Sequence, residues 1–346
     1  MASWVDAVWY GDGLVARLAR GALTPASLAY HAVTSARNAW YGWPGRARAT
    51  AVPALSVGNL SVGGTGKTPV AGWCAARLRA LGARPAIVLR GYGDDEPAVH
   101  RVLNPDVPVI ATPDRLLGAE RARAAGADVV VLDDAFQHRR ARRIADLVLV
   151  SADRWRPDLT VLPAGPWRES PVGLRRATGV VVTRKAAGPE AASRVAAWVS
   201  RVAPGVPVAT VHLVPDALVR ADAHGEAVRL ETLAGHDALV VAGVGDPRAF
   251  AEQVRGAGVR VTLRAFADHH PYTEAEVAAL ARAAGTRPVL TTLKDAVKLS
   301  PRWPRTAPPL WYVSQRVVVE DGGAVLDGAL AAVLAARVRA SVVPAD

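Results

Sequence analysis

Short apolar runs alternate with helical stretches from about residue 50 onward. Residues 51–59 predict a strand, which a glycine-rich turn connects to a predicted helix over 69–81. Further runs rich in Val, Ile and Leu predict strands at 84–93, 127–134, 145–152 and 177–184. Runs without polar alternation are typical of strands buried on both faces. The pattern therefore predicts an α/β fold in which helices cover both sides of a parallel sheet.

The pattern changes at residues 206–232, which predict two strands around a turn at His224–Gly225, an antiparallel hairpin. Beyond it we expect a strand–loop–helix unit, another strand, a helix with Thr273 as N-cap, and a strand followed by a loop near 287–296. The hairpin is the expected domain boundary. The predicted organisation is an N-terminal segment, a core domain, a two-stranded linker and a smaller C-terminal α/β domain, over 1–45, 46–205, 206–232 and 233–346.

A length of 346 residues suggests about two domains. The chain is expected to fold, because 51% of its residues are hydrophobic and 21% are charged. The net charge of +11 favours acidic partners such as nucleotides or phosphorylated lipid. Only four of the 42 basic residues are Lys, and the Arg are spread along the whole chain. No nucleic-acid recognition module is readable, so we expect no nucleic-acid partner. The one cysteine, Cys74, excludes a disulfide framework and a multi-cysteine zinc site.

The first 45 residues combine aromatic side chains with Arg. Two interpretations stay open: the segment contacts the headgroup region of a membrane, or its helices pack on the core domain by their aromatic face. The uncharged run 21–36 is too short and too polar to span a bilayer, and the first dozen residues lack the basic region of a secretory signal. The aromatic residues are Trp4, Trp9, Tyr10, Tyr30, Trp40, Tyr41 and Trp43.

A phosphate-binding loop is predicted between the first core strand and its helix. The segment SVGGTGKT has the order of small residues, Lys and Thr that a P-loop requires, although Ser61 stands where the pattern has Gly. Its backbone N–H groups would surround phosphates, the lysine would reach the β- and γ-phosphates, and the threonine hydroxyl would bind Mg²⁺. These residues are Ser61, Val62, Gly63, Gly64, Thr65, Gly66, Lys67 and Thr68.

An acidic pair closes a buried core strand. Asp133 and Asp134 follow the apolar run 127–132, at the place where P-loop enzymes hold Mg²⁺ directly or through water. Either carboxylate could touch the metal. The residues alone therefore predict a site for ATP with Mg²⁺ that serves phosphoryl transfer or nucleotide switching.

Several further segments resemble the tetraacyldisaccharide 4'-kinases, the kinases of lipid A biosynthesis, in the order that the family has them. They are VGNLSVGGTGKTPV (57–70), RGYG (90–93), DEP (95–97), VLDDAFQHRR (131–140), LPAGPWRE (162–169), AGVGDPRAF (242–250), FADHH (266–270) and TTLKDAVKL (291–299).

The resemblance implies a P-loop kinase with a smaller C-terminal α/β domain joined by a two-stranded linker. It implies transfer of the ATP γ-phosphate to the 4'-hydroxyl of tetraacyldisaccharide 1-phosphate, which gives lipid IVA. It also implies a lipid disaccharide substrate and peripheral contact with the cytoplasmic face of the inner membrane. The alternative is a P-loop protein with a different acceptor, or a nucleotide-dependent switch.

Residue by residue, the resemblance assigns Asp95 as the catalytic carboxylate and His269 as its histidine partner. A sugar hydroxyl is a poor nucleophile at neutral pH, so such a pair would orient it and take its proton. Arg168 is the candidate for holding phosphate, because a guanidinium matches phosphate oxygens. Glu169 is expected to orient Arg168.

Other matched residues are expected to line the site, namely Gln137, His138, Lys294 and Asp295. The sequence departs from the family in two places. RGYG is followed almost at once by DEP, which makes Asp94 a second candidate base. Ala135 also replaces a glycine that could have needed a positive φ.

Overall fold

The computed structural model describes residues 4–91, 95–222 and 227–342. The helices are α1 (Trp4–Tyr10), α2 (Leu14–Gly42), α3 (Lys67–Ala80), α4 (Asp95–Leu103), α5 (Arg115–Ala124), α6 (Pro189–Val202), α7 (Pro247–Gly256), α8 (Glu274–Ala284), α9 (Leu293–Leu299) and α10 (Gly323–Val342). The strands are β1 (Arg48–Ala49), β2 (Ala54–Asn59), β3 (Pro85–Leu89), β4 (Val109–Ala111), β5 (Val129–Asp133), β6 (Ala141–Arg142), β7 (Ala145–Ser151), β8 (Gly179–Arg184), β9 (Val208–Arg220), β10 (Ala227–Arg229), β11 (Asp237–Ala242), β12 (Arg260–Ala265), β13 (Val289–Thr292) and β14 (Leu310–Asp321).

The chain forms two compact units. The larger unit contains residues 4–91, 100–211 and 319–342, and the smaller unit contains residues 95–99, 212–222 and 227–318. Two segments therefore group differently from the sequence-based division: the DEP segment, 95–97, belongs to the smaller unit, and residues 319–342 belong to the larger one. The second difference has a packing cause, since α10 lies against β2, β5, β7 and β8.

The larger unit is built on a parallel sheet in which β4, β3, β5, β2, β7 and β8 are successive neighbours. Every residue of β2, β3 and β5 is buried, as expected of strands covered on both faces. The register pairs Val57 with Asp133, so the ends of β2 and β5 lie side by side. The predicted α/β fold with a parallel core sheet is confirmed, and the loops at this edge of the sheet carry the motifs.

In the smaller unit β12, β11, β13 and β14 are parallel neighbours, and β10 pairs with β9 antiparallel. The predicted N-cap is confirmed: Thr273 and Glu276 form a reciprocal capping box at the start of α8. The prediction of a loop after the strand near 290 is wrong, because residues 293–299 form α9. The Thr292 side chain at the end of β13 accepts a bond from the Asp295 N–H and starts this helix.

The predicted hairpin turn at His224–Gly225 lies outside the described residues, as do Tyr92 and Gly93 of the RGYG motif. On either side of that turn, residues 217–219 pair with 227–229 as antiparallel strands. In the described part of the chain, no helix has the length and apolar character needed to cross a membrane.

Candidate functional site

The loop between β2 and α3 has the backbone of a phosphate-binding site. Gly63 and Gly66 have φ angles of 110° and 85°, which other residues rarely adopt. Gly66 is the N-cap of α3 and no side chain caps the helix. The first N–H groups of α3 are therefore directed at the space where an anion would bind.

Neighbouring side chains hold this loop in shape. The Asn59 amide, at the end of β2, donates to the Ser61 carbonyl at 2.5 Å and to the Thr65 hydroxyl at 3.0 Å. The Thr183 hydroxyl, near the end of β8, donates to the Thr65 carbonyl at 2.8 Å. Lys185 follows the same strand and donates to the Gly64 carbonyl at 2.8 Å. Residues at the ends of β2 and β8 thus hold the loop in shape.

The two acidic residues after β5 have different partners. Asp133 is 2% exposed and its Oδ2 lies 2.8 Å from Nε2 of the buried His100. Asp134 accepts bonds from Nη1 of Arg168 at 2.7 and 2.9 Å, and its Oδ1 lies 3.8 Å from Nζ of Lys67. Asp133 is therefore held by an imidazole, and Asp134 brings two cations together.

Asp134, not Ala135, carries the positive φ of this loop, at 52°. Aspartate tolerates the left-handed region better than most residues, so alanine at position 135 costs no backbone strain. Burial by itself raises the pKa of Asp134, but the charges of Lys67 and Arg168 outweigh it and hold the pKa below its usual value. The Asp134 carboxylate is thus ionised at neutral pH.

Glu169 lies beneath this cluster and does not orient the Arg168 side chain as the sequence suggested. Its carboxylate is 1% exposed and accepts bonds from Asn38, Gln137 and Arg176 at 2.7 to 2.9 Å. Burial raises the pKa of Glu169, but these donors outweigh burial and lower it. The orientation of Arg168 comes instead from Asp134.

Gln137 and His138 follow the acidic pair. Gln137 donates to the Asn59 carbonyl and to Glu169, both at 2.9 Å, so it connects the end of β2 to the loop of Arg168. Burial and the charge of Arg115 lower the pKa of His138, which favours a neutral imidazole. In the strand beside them Gly58 leaves no room for a side chain, since a Cβ there would meet the Phe136 Cβ at 2.5 Å. Glycine thus lets this loop dock on β2.

The smaller unit brings Asp95 and His269 together. Oδ2 of Asp95 lies 2.9 Å from Nδ1 of His269, although the two residues are 174 positions apart. Asp95 is 6% exposed, whereas the His269 side chain is 42% exposed. Burial raises the pKa of Asp95, but the bond from His269 and the charges of Lys298 and Lys294 lower it to about 2. The bond to Asp95 raises the pKa of His269.

A buried polar cluster supports this pair. Nζ of Lys298 lies 3.7 Å from Asp95 and 3.6 Å from Asp295, and has no hydrogen-bond partner among the described residues. Asp295 is completely buried and accepts bonds from the Tyr272 hydroxyl, the Thr292 hydroxyl and the Gly243 N–H. Asp295 was expected to line the site, but it lies below the surface and holds Lys298 against Asp95.

Lys294 has a different environment from Asp295, its neighbour in sequence. Its Nζ lies 3.3 Å from the Glu96 carboxylate. Burial lowers the pKa of Lys294, but the charges of Glu96, Asp268 and Asp95 outweigh it and raise the pKa. The ammonium is therefore charged and partly accessible. The alternative base, Asp94, lies outside the described residues.

The oxygen donors of the larger unit fit Mg²⁺ bound together with a nucleotide. No group of three or more His, Cys, Asp or Glu side chains that could hold a metal ion occurs in the ranges that the structure describes. Mg²⁺ needs no such group, because it takes one or two protein oxygens and completes its shell with phosphates and water. Oδ1 of Asp133 is buried and has no hydrogen-bond partner among the described residues. This oxygen and the Thr68 hydroxyl are the protein oxygens that would hold such an ion.

Several contributing residues were missed in the sequence. Asn59 lies inside the VGNLSVGGTGKTPV motif, but its type alone indicated no role. Lys298 lies three residues after Asp295, a spacing that brings two side chains together only on a helix, and the sequence predicted a loop there. His100 and Asn38 carry no local signal. Their roles depend on which strand end and which loop they meet after folding.

Comparison with known proteins agrees with the geometry. A family model described as tetraacyldisaccharide-1-P 4'-kinase matches residues 19–335. A tetraacyldisaccharide 4'-kinase of Anaeromyxobacter dehalogenans strain 2CP-C is 38% identical over 335 residues, with 86% of this chain and 87% of the relative covered. One of Halorhodospira halophila is 37% identical over 330 residues, with 89% and 91% covered.

A solved structure shares the fold. The crystal structure of LpxK from Aquifex aeolicus in complex with ATP superposes with a TM-score of 0.70 at 26% identity, covering 91% of this chain and 99% of that one. The match of the family model over most of the chain, together with the P-loop, the acidic strand end and the Asp95–His269 pair, shows that this chain belongs to the tetraacyldisaccharide-1-P 4'-kinase family.

Proposed function

We propose that this protein transfers the γ-phosphate of ATP to the 4'-hydroxyl of a tetraacylated disaccharide 1-phosphate and so forms lipid IVA. The observation that carries the acceptor side of this proposal is the 2.9 Å contact between Asp95 and His269. A nucleotide switch has no use for a carboxylate–imidazole pair, whereas a kinase with a sugar hydroxyl as acceptor needs a group that takes the hydroxyl proton.

The larger unit binds the nucleotide in this proposal. The N–H groups of residues 63–68 surround the phosphates, and Lys67 and Arg168 neutralise the charge that develops on the transferred group. Thr68 and Asp133 are the residues that would hold Mg²⁺, which shields the phosphate oxygens when it is bound. Asp134 keeps both cations close to the loop before ATP arrives.

The smaller unit handles the proton. The acceptor oxygen forms a bond to the γ-phosphorus, the bond from that phosphorus to the bridging oxygen breaks, and ADP leaves. The hydroxyl proton passes to the Asp95–His269 pair. Because the pKa of Asp95 is about 2 and that of His269 is raised, the proton comes to rest on the imidazole, which stays paired with the carboxylate.

The reaction is tested by transfer of labelled γ-phosphate from Mg-ATP to purified tetraacyldisaccharide 1-phosphate in detergent micelles. We expect wild-type transfer to fall about 10²–10⁴-fold in Asp95→Ala and in His269→Ala, with ATP binding nearly unchanged. Asp237→Asn is the matched control, because this exposed carboxylate of the same unit forms an ion pair with Arg260.

Each contrary result has a defined meaning. Transfer that survives in Asp95→Ala would move the base to Asp94 or another group. Normal lipid phosphorylation by His269→Ala would refute the pair. ATP binding without any transfer by the wild type would point to a different acceptor or to a switch.

We also propose that the outer face of α2 contacts the inner membrane at its cytoplasmic face. The support is a set of apolar side chains that are more than half exposed, with Arg17 and Arg37 beside them. Exposed apolar patches bordered by cations are typical of membrane-surface helices. The set is Leu14, Val15, Leu18, Leu28, Val33 and Trp40.

Sedimentation with vesicles of phosphatidylethanolamine and phosphatidylglycerol tests this contact. The double variant Val15→Ser/Leu18→Ser should lower the vesicle-bound fraction several-fold. Leu81→Ser, at an exposed leucine of the same unit outside α2, should leave it unchanged. Equal sedimentation of all three proteins would refute α2 as the contact.

A further inference from the structure

Helix α2 has an inverted distribution of polar and apolar side chains. A helix on a protein surface ordinarily buries an apolar face and exposes a polar one. In α2 the buried residues are Ser27 and Thr34, whereas Leu18 and Val33 are 64% and 68% exposed. Apart from the Tyr30 ring, which packs against the core of the larger unit, apolar burial therefore does not explain how the inner face of this helix is held.

The inner face is a line of polar residues. Ser27, Tyr30, Thr34 and Asn38 follow one another at spacings of three or four residues, which places them on one side of a helix. Three of the four bond directly to the segment 161–169, which ends in Arg168 and Glu169. The fourth, Thr34, bonds to a carbonyl within α2 itself.

Two of these contacts hold the backbone of that segment. The buried Ser27 hydroxyl donates to the Val161 carbonyl at 3.1 Å and accepts from the Ala164 N–H at 3.0 Å. The Tyr30 hydroxyl donates to the carbonyl of Arg168 at 2.9 Å. The peptide group next to the Arg168 side chain is thus fixed by an N-terminal helix more than 130 residues away in sequence.

The third contact is a hydrogen bond from Asn38 to the buried carboxylate of Glu169. The Asn38 amide donates to Oε2 of Glu169 at 2.7 Å, while Gln137 and Arg176 occupy Oε1. A hydrogen bond to a buried carboxylate is stronger than one between neutral groups. Removing Asn38 would leave Oε2 without the donor that now faces it, and the residue after Arg168 would lose its anchor on α2.

We propose that Asn38 and Tyr30 are positioning residues for phosphoryl transfer. They hold the segment 161–169 so that the Arg168 guanidinium lies against Asp134, beside the lysine of the P-loop. The inference rests on the proposed role of Arg168 in stabilising the transferred phosphate. In this proposal the inner face of α2 supports phosphoryl transfer, and this role is independent of any contact that the outer face makes.

A double-mutant cycle tests this assignment. The rate constant kcat for transfer to the disaccharide lipid in micelles is measured for Asn38→Ala, Arg168→Ala and the double variant. We expect about a tenfold loss for Asn38→Ala and a loss of 10²-fold or more for Arg168→Ala. Because Asn38 acts through Arg168, the double variant should be no more than about twofold slower than Arg168→Ala alone.

The outcomes separate the inference from the function on which it rests. Independent, multiplying losses would mean that Asn38 only supports the fold, and would overturn the inference. Full activity of Asn38→Ala beside an impaired Arg168→Ala would overturn it too, while leaving the proposed role of Arg168 intact. Full activity of Arg168→Ala would refute that role and the inference with it.

Tyr30→Phe keeps the test valid if Asn38→Ala folds poorly. It removes only the hydroxyl, and we expect kcat to fall about threefold with the thermal midpoint nearly unchanged. Ser35→Ala, at an exposed position of the same helix, is the matched control and should keep wild-type kcat. Wild-type kcat in Tyr30→Phe, with Arg168→Ala impaired, would contradict the role of Tyr30.

Discussion

The phosphate-binding loop of the larger unit and the Asp95–His269 pair of the smaller unit are built in opposite ways. The loop uses consecutive residues, 61–68, and most of its donors are backbone N–H groups at the start of α3. The pair joins two side chains that are 174 positions apart. A contiguous site depends on local backbone geometry, whereas a distant pair depends on the packing of the whole unit.

The charged groups around the two sites also differ. Near the loop, the Asp134 carboxylate lies against both Lys67 and Arg168. Near the pair, Lys298 lies between Asp95 and the buried Asp295. The first arrangement keeps cations ready for an anionic ligand. The second keeps Asp95 ionised, so that the raised pKa belongs to His269.

Removal of the lysine of the phosphate loop should have a large effect that distinguishes the loop from the Asp95–His269 pair. Lys67→Ala should lower phosphate transfer about 10²–10³-fold, because the side chain that reaches the β- and γ-phosphates is lost. Calorimetry should also detect weaker binding of ATP, which variants of the Asp95–His269 pair should not show. Arg79→Ala is the control: it lies on the same helix in an exposed ion pair with Asp106 and should change neither quantity. Wild-type transfer by Lys67→Ala would refute the assignment of the loop.

A smaller effect is expected when Lys298, which lies beside the Asp95–His269 pair, loses its charge. Lys298→Met keeps most of the length of the side chain but removes the ammonium between Asp95 and Asp295, so kcat should fall about tenfold. Because Asp295 then loses a compensating charge, the thermal midpoint should also fall by a few degrees. The ATP dissociation constant should stay unchanged. Arg282→Met, an exposed cation of the same unit, should resemble the wild type.

The smallest expected effect is a shift in pH dependence. The imidazole of His269 cannot take a proton while it is protonated, so kcat should rise with pH through an apparent pKa above 6.5, the ordinary value for histidine. In Asp95→Asn the hydrogen bond that raises this pKa is weakened, and the midpoint of the residual activity should move to lower pH. Asp268 and Lys294 also act on His269, in opposite directions. A midpoint that does not move would show that another group titrates.

Much of the fold could be predicted because its signals are local. Apolar runs predicted the parallel core strands, and Thr273 predicted the start of α8. The helix 293–299 escaped prediction because two consecutive Thr are typical of a strand, and only the Thr292 side chain shows that a helix begins there. The grouping of 319–342 with the larger unit was also unpredictable, since it depends on where α10 packs.

For the candidate site, the sequence predicted which residues take part but not which partners they contact. A phosphate-binding loop could be predicted from the glycines, Lys67 and Thr68, because they lie between a predicted strand and a predicted helix. Asp133 and Asp134 could be placed at a strand end, but not told apart. That distinction appears only when His100 reaches one carboxylate and Arg168 the other. The partners of Glu169 were likewise assigned wrongly from sequence, because adjacency in the chain suggested Arg168.

The sequence by itself determined the α/β fold, the phosphate loop and the family resemblance, because each depends on residue type and short spacing. The tertiary structure alone decided that Lys298 lies between two carboxylates and that α2 turns a polar face inward. It also decided that one oxygen of Asp133 has no hydrogen-bond partner among the described residues. Such contacts join residues far apart in the chain. Their distances follow from how strands and helices pack, and no local pattern of side chains encodes them.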